Sequence, residues 1–98
     1  MRSNKEKILN FVAKIPYGKV TTYGRIAKAI GLKSPRTVGK VLHHNPNPKR
    51  FPCHRVVFCD GKLSPSFAFG GIKEQMNLLK KEGISFVFGK VDLNSSLM

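Results

Sequence analysis

An α+β, mostly helical domain of winged helix-turn-helix type is predicted by three features of the 98-residue sequence. Helix signals mark four segments, two of which are separated only by Gly31, Leu32 and Lys33, the spacing of a helix-turn-helix. A short β-rich stretch around Val56 and an Asp60-Gly61 turn follow them. A chain of this length supports one modest core, so residues 1–90 are expected to form a single domain and the tail "VDLNSSLM", 91–98, to be flexible.

The elements follow in order. Ser3 and Glu6 have capping-box spacing, and Ile8, Leu9, Val12 and Ile15 then recur at helical intervals until Pro16 stops them. "PYGK" is a turn, after which Thr21 or Thr22 can cap a second helix that runs through Ile30 and closes at Gly31. Ser34-Pro35 starts a third helix, expected to reach about Asn45-Pro46. Its residues Val38, Val41 and Leu42 share an apolar face, while Arg36, Lys40 and His43 share the opposite one, where a DNA groove would meet them. Gly39 beside that face costs about 1 kcal/mol of helix propensity but lets the backbone approach a ligand closely. Val56, Val57 and Phe58, the Asp60-Gly61 turn and Leu63 read as a small hairpin or wing. Ile72, Met76 and Leu79 outline a last helix ended by Gly83, and "ISFVF" reads as an extended segment over the core.

Charge narrows the partner. Eighteen Lys and Arg against five Asp and Glu give a net charge of +13, and no acid occurs from Lys7 through Cys59. Such a field draws a polyanion, and nucleic acid is the expected partner. The N-terminus intersperses lysines and has no long apolar run, which excludes a secretory signal or membrane span there. The cytosol, or the nucleoid of a prokaryote, is the expected location. Two cysteines six positions apart make no disulfide framework.

Cys53 stands in "FPCHRV" beside His54 and Arg55. With Cys59, His43 and His44 these residues lack the close paired spacing of a structural zinc site, and no metal is expected. A buried inert thiol is the bland reading, since free Cys packs as a small hydrophobe. Pro52 before it and the charged pair after it favour a reactive thiol, whose pKa neighbouring cations can lower. Adjacent side chains of an extended segment diverge, so a proton path from Cys53 to His54 needs a turn or a bridging water.

"IPYGKVTTYGRIAKAIG", "SPRTVGKVLHHNP", "FPCHRVV" and "GGIKEQMNLLKKEG" together resemble the C-terminal domain of the alkylguanine-DNA alkyltransferases, direct-reversal DNA repair proteins, from about Lys5 to Gly83. The resemblance implies a winged-helix fold, a partner in double-stranded DNA containing alkylated guanine, base flipping, no cofactor and a monomer. It implies that Cys53 accepts an alkyl group irreversibly from the exocyclic oxygen of guanine, once per chain. Arg36 matches the finger arginine that fills the vacated base stack, and Tyr23 the tyrosine that rotates the phosphate and reaches the base. Asn45 matches the hinge asparagine, His54 the histidine that takes the thiol proton through a water, and Glu82 the acid that orients it. Ser34, Thr37, Gly39, Lys40 and Arg55 complete the expected DNA contacts. Val56, through its carbonyl, and Phe69, through its backbone amide, join Phe67 and Tyr23 in the expected base pocket.

Two departures define an alternative. Most full-length members carry an additional N-terminal domain, and "SPSFAFGG" differs from the tyrosine- and serine-containing loop of that family. Both features resemble the short alkyltransferase-like proteins, which bind alkylated guanine without transfer and recruit nucleotide excision repair. In those proteins another residue, commonly tryptophan, replaces the cysteine that this chain retains. A winged-helix regulator reading intact base edges is the third reading.

Overall fold

The computed structural model describes residues 3–65 and 67–98. Ser66, in the "SPSFAFGG" segment, lies outside the described residues.

Helix α1 (Asn4–Ala13) begins where Ser3 Oγ accepts a hydrogen bond from the Glu6 backbone N–H. It buries Ile8, Leu9 and Val12, the predicted stripe. Strand β1 (Thr21–Thr22) leads directly into α2 (Tyr23–Ile30), whose first turn is capped by Thr22 Oγ1 accepting from Arg25 N–H. Gly31 closes α2 in the left-handed region at φ 80°, as its position predicts. Helix α3 (Arg36–His43) buries Val38 and Leu42. Ser34 Oγ accepts from Arg36 N–H at 3.2 Å, and the helix ends at His43 rather than at Asn45-Pro46. The physical reason is twofold: the residue before a proline is steered away from helical geometry, and the Asn45 side chain is engaged elsewhere.

A 3-10 turn (Cys53–Arg55) runs into β2 (Val56–Val57). The predicted hairpin does not form there. β2 pairs in parallel with β1, Thr21 opposite Val56 and Thr22 opposite Val57. The Asp60-Gly61 turn exists, with Gly61 N–H donating to the Phe58 carbonyl at 2.9 Å. The antiparallel hairpin lies later, between β3 (Phe86–Val87) and β4 (Lys90–Val91), after α4 (Gly71–Lys81). The tail expected to be flexible carries a short helix, α5 (Leu93–Ser96). It is tied to the start of β1: Val20 N–H donates to the Ser96 carbonyl at 2.9 Å and Met98 N–H to the Val20 carbonyl at 2.8 Å.

Two apolar clusters result. One packs α1, α2 and α3 with Phe51, Cys53 and Val56. The other packs Val20, Val57, Leu63, Leu79, Ile84 and Val91 under the C-terminal half. The β1–β2 pair lies between them, Val56 facing the first cluster and Val57 the second.

Gly61 joins the Asp60-Gly61 turn to β4. At φ +88° it occupies the left-handed region, and a Cβ added there would stand 2.5 Å from the Val91 carbonyl oxygen. Gly61→Ala is expected to cost about 2–4 kcal/mol, combining left-handed strain with overpacking, read by denaturant unfolding. A loss below about 1 kcal/mol would show that β4 yields freely at this contact.

Candidate functional site

The register of the parallel pair builds the site. Tyr23 directly follows β1 and Phe58 directly follows β2, so their rings meet, with centroids 5.3 Å apart. They form part of the wall of a cavity of about 550 Å³ that also takes in Gly24, Arg36, Gly39 and Lys40 from the helix-turn-helix, Cys53 from the 3-10 turn, and Ser64 and Phe67 from the following loop. A Cβ added at Gly24 or Gly39 would meet nothing within 4 Å. Packing within the chain therefore does not demand glycine at either place.

Cys53 is 5% exposed. Burial pushes its thiol above the ordinary value, against a smaller opposing hydrogen bond with the Asn45 side chain. The expectation that neighbouring cations favour the thiolate is thus corrected: desolvation wins, and the Arg55 guanidinium and the His54 ring are both engaged with another partner. That partner is Glu82, in the cap position of α4. His54 Nε2 lies 2.5 Å from Glu82 Oε2. Arg55 Nε donates to both carboxylate oxygens at 2.9 and 3.0 Å, and Gly18 N–H donates to Oε1 at 2.9 Å. Burial of the carboxyl favours its neutral form, but the bonds from His54, Gly18 and Arg55 together hold its pKa below the usual carboxylate range.

Asn45 is 7% exposed and bridges α3 to the reactive turn: its Nδ2 donates to the Phe51 carbonyl at 2.7 Å and its Oδ1 accepts from Asn47 N–H at 3.0 Å. Burial raises the Tyr23 hydroxyl, which is hydrogen-bonded to the Ser64 side chain.

Most of the sequence-predicted residues converge here. Tyr23, Arg36, Gly39, Lys40, Cys53 and Phe67 line the cavity, while Asn45 bonds the segment leading into the Cys53 turn and Glu82 bonds His54 within it. Arg55 does not reach outward as a DNA contact. Its Nη1 donates to the Ile15 carbonyl at 2.8 Å and its guanidinium stacks on Tyr17, so its role in this structure is to hold Glu82. Val56 contributes no side chain to the cavity, being fully buried, and its carbonyl already accepts from Gln75 Nε2 at 3.0 Å. Phe69 is 38% exposed and lies outside the cavity wall, packed edge-on against Phe67. Ser34 and Thr37 are half-buried, also outside that wall, and Ser34 Oγ accepts from the Arg36 N–H. Sequence reasoning missed Phe58, Ser64 and Gln75. Gln75 carried a signal: it sits three residues after Ile72 and four before Leu79, a polar residue in the apolar stripe of α4.

Among the described residues, no group of three or more His, Cys, Asp or Glu is placed to hold a metal ion, and no helix is long and apolar enough to cross a membrane.

Comparison with known proteins agrees with this geometry. The family model described as 6-O-methylguanine DNA methyltransferase, DNA binding domain, matches residues 3–84. Alkyltransferase-like protein 1 of Schizosaccharomyces pombe is 38% identical over 79 residues, 80% of this chain and 73% of that protein. The methylated-DNA–protein-cysteine methyltransferase of Methanocaldococcus jannaschii is 40% identical over 89 residues, 88% of this chain. This chain spans only 51% of that protein, and 28% of a bifunctional methyltransferase/endonuclease of Picrophilus torridus. Among solved structures, the S. pombe protein in complex with damaged DNA containing O6-carboxymethylguanine superposes with a TM-score of 0.84 at 31% identity, over 100% of this chain and 98% of that one. The O6-methylguanine-DNA methyltransferase of Pyrococcus kodakaraensis gives 0.72 at 39% identity, over 86% of this chain and 48% of that one. By its matched length and its helix-turn-helix architecture, the chain belongs to the 6-O-methylguanine DNA methyltransferase family of DNA-repair proteins, through its DNA-binding domain.

Proposed function

We propose that this chain repairs DNA directly, by moving an alkyl group from the exocyclic oxygen of a flipped, alkylated guanine to Cys53. The observation that carries the reading is a thiol on the wall of a cavity that Arg36 and Lys40 also line, next to a histidine bonded to the Glu82 carboxylate. In the step, the Cys53 proton passes toward His54, whose positive charge Glu82 stabilises. A bond forms from sulfur to the alkyl carbon as the bond from that carbon to the guanine oxygen breaks. The base leaves with the electron pair and regains a ring proton as ordinary guanine. The thioether product has no hydrolytic route among these side chains, so each chain acts once. Reaching an in-stack guanine requires base flipping. In this reading Tyr23 presses on the phosphate and Arg36 fills the vacated stack; both line the cavity, and Arg36 is exposed on α3.

Intact mass after mixing with duplex DNA containing methylated guanine tests the reading. One added methyl group on the peptide bearing Cys53 is expected. An unmodified chain that holds the lesion tightly would overturn it in favour of a non-transferring lesion sensor. That second reading draws on the near-complete mutual coverage with the S. pombe alkyltransferase-like protein and on the raised thiol of Cys53.

Binding itself should be electrostatic in part. The logarithm of affinity is expected to fall with the logarithm of salt by about 0.9 per phosphate contacted. Arg36→Ala should weaken binding to a lesion duplex more than to an undamaged duplex of the same sequence, while Lys33→Ala costs little on either. Equal losses for the two variants would make Arg36 a plain phosphate contact.

A further inference from the structure

Gln75 is 0% exposed and is the one fully buried amide among the described core side chains. Both of its N–H donors and its carbonyl oxygen are engaged. Nε2 donates to the His54 carbonyl at 3.1 Å and to the Val56 carbonyl at 3.0 Å, and Oε1 accepts from Ser64 N–H at 3.0 Å. The three partners belong to the two segments that flank the cavity. His54 lies within the 3-10 turn that presents Cys53 and Val56 directly follows it, while Ser64 opens the loop that carries Phe67 and bonds the Tyr23 hydroxyl. A single side chain on α4 therefore ties the position of the sulfur to the position of the cavity wall.

The chemistry of the partners is selective. Two carbonyls and one N–H ask for two donors and one acceptor in a short planar head, which among the side chains only an amide offers. A carboxylate would set oxygen against oxygen, an ammonium would leave the Ser64 N–H unmet, and an apolar residue would strand all three groups in the core.

We propose that Gln75 is a positioning residue for the reaction at Cys53: it fixes the reactive turn against the Ser64 loop, and so sets the rate of the step at sulfur without contacting the DNA. The proposal rests on the alkyl-transfer reading for its first readout, and a second readout stands apart from it.

The test uses the full chain and two variants. Gln75→Met keeps length and volume and loses all three bonds. Gln75→Glu keeps the acceptor for Ser64 and loses the paired donors. Single-turnover transfer to a methylguanine duplex, followed as a function of protein concentration, separates the half-saturating concentration from the limiting rate. Alkylation by iodoacetamide, read by peptide mass as the ratio of Cys53 to Cys59, reports the thiol in the absence of DNA. With cooperative melting retained, the limiting rate is expected to fall about 10-fold or more while half-saturation moves less than about 2-fold, the pattern of a misplaced reacting group. The alkylation ratio should change by about 3-fold or more, in either direction. A folded variant with wild-type rate and ratio overturns the proposal, as does a rate that falls only in proportion to the folded fraction. Should Gln75→Met fail to fold, Gln75→Glu decides. Its carboxyl regains one donor when protonated, so its rate or alkylation ratio relative to wild type should recover as pH falls, and a flat relative profile counts against the proposal. If wild type transfers nothing, the alkyl-transfer reading fails by itself, and the alkylation ratio still decides the case of Gln75.

Discussion

Cys53→Ser yields no alkylated protein in the intact-mass experiment, yet holds the lesion duplex within about 3-fold of wild type, because flipping and cavity contacts do not depend on sulfur. The reason is the identity of the nucleophile. A thiol is more acidic than a hydroxyl, and its anion is a far better nucleophile toward an alkyl carbon than a serine oxygen in the same buried place. Cys59→Ser is the control. Cys59 also lines the cavity, but it is exposed, lies beside Asp60, and has no histidine–carboxylate pair in its turn. It should transfer as wild type does. A methyl group mapped to the Cys59 peptide, or residual modification of Cys53→Ser, would reverse the assignment of the two thiols.

The parts of this site that were legible in the sequence are the local ones. Thr22 as a cap, Gly31 as a left-handed stop and the apolar stripe of α1 depend on neighbours a few residues away, and the structure has them. The parts that were not legible depend on chain segments far apart. β2 looked like one arm of a hairpin because a turn follows it, but its ladder is made with Thr21–Thr22, 35 residues earlier in each pair, and no local pattern encodes that parallel partner. Arg55 looked like a DNA contact because it is a cation beside a reactive cysteine; only the fold brings Glu82 and the Ile15 carbonyl to it and turns it inward. The same limit hid Phe58, which becomes a cavity wall only because the parallel register sets it against Tyr23. The tail lacked apolar periodicity and read as loose. Its attachment to Val20 is made by backbone groups, which leave no trace in side-chain pattern.

His54→Ala is expected to slow transfer by about 10²- to 10⁴-fold, the usual loss for a general base, with lesion binding little changed. Burial keeps the Cys53 thiol protonated at rest, so the step needs a proton acceptor more than an exposed thiolate would. Glu82→Gln should slow transfer less, since the imidazole remains, but it should also destabilise the fold. It removes the anion that Arg55 and Gly18 N–H surround, at a cost of about 2–3 kcal/mol, under the range for a fully buried pair because Arg55 retains some solvent. The stability effect carries a pH signature. The carboxyl pKa is depressed in the folded chain, so its contribution is complete above the ordinary carboxylate range and is lost as pH falls through the lowered folded value. Denaturant midpoints of wild type and Glu82→Gln should therefore differ at neutral pH and converge in strong acid. A difference that persists unchanged into acid would mean that the glutamine perturbs packing rather than charge. A transfer rate unaffected by His54→Ala would remove the histidine from the reaction and leave Glu82 as a structural partner of Arg55 and Gly18.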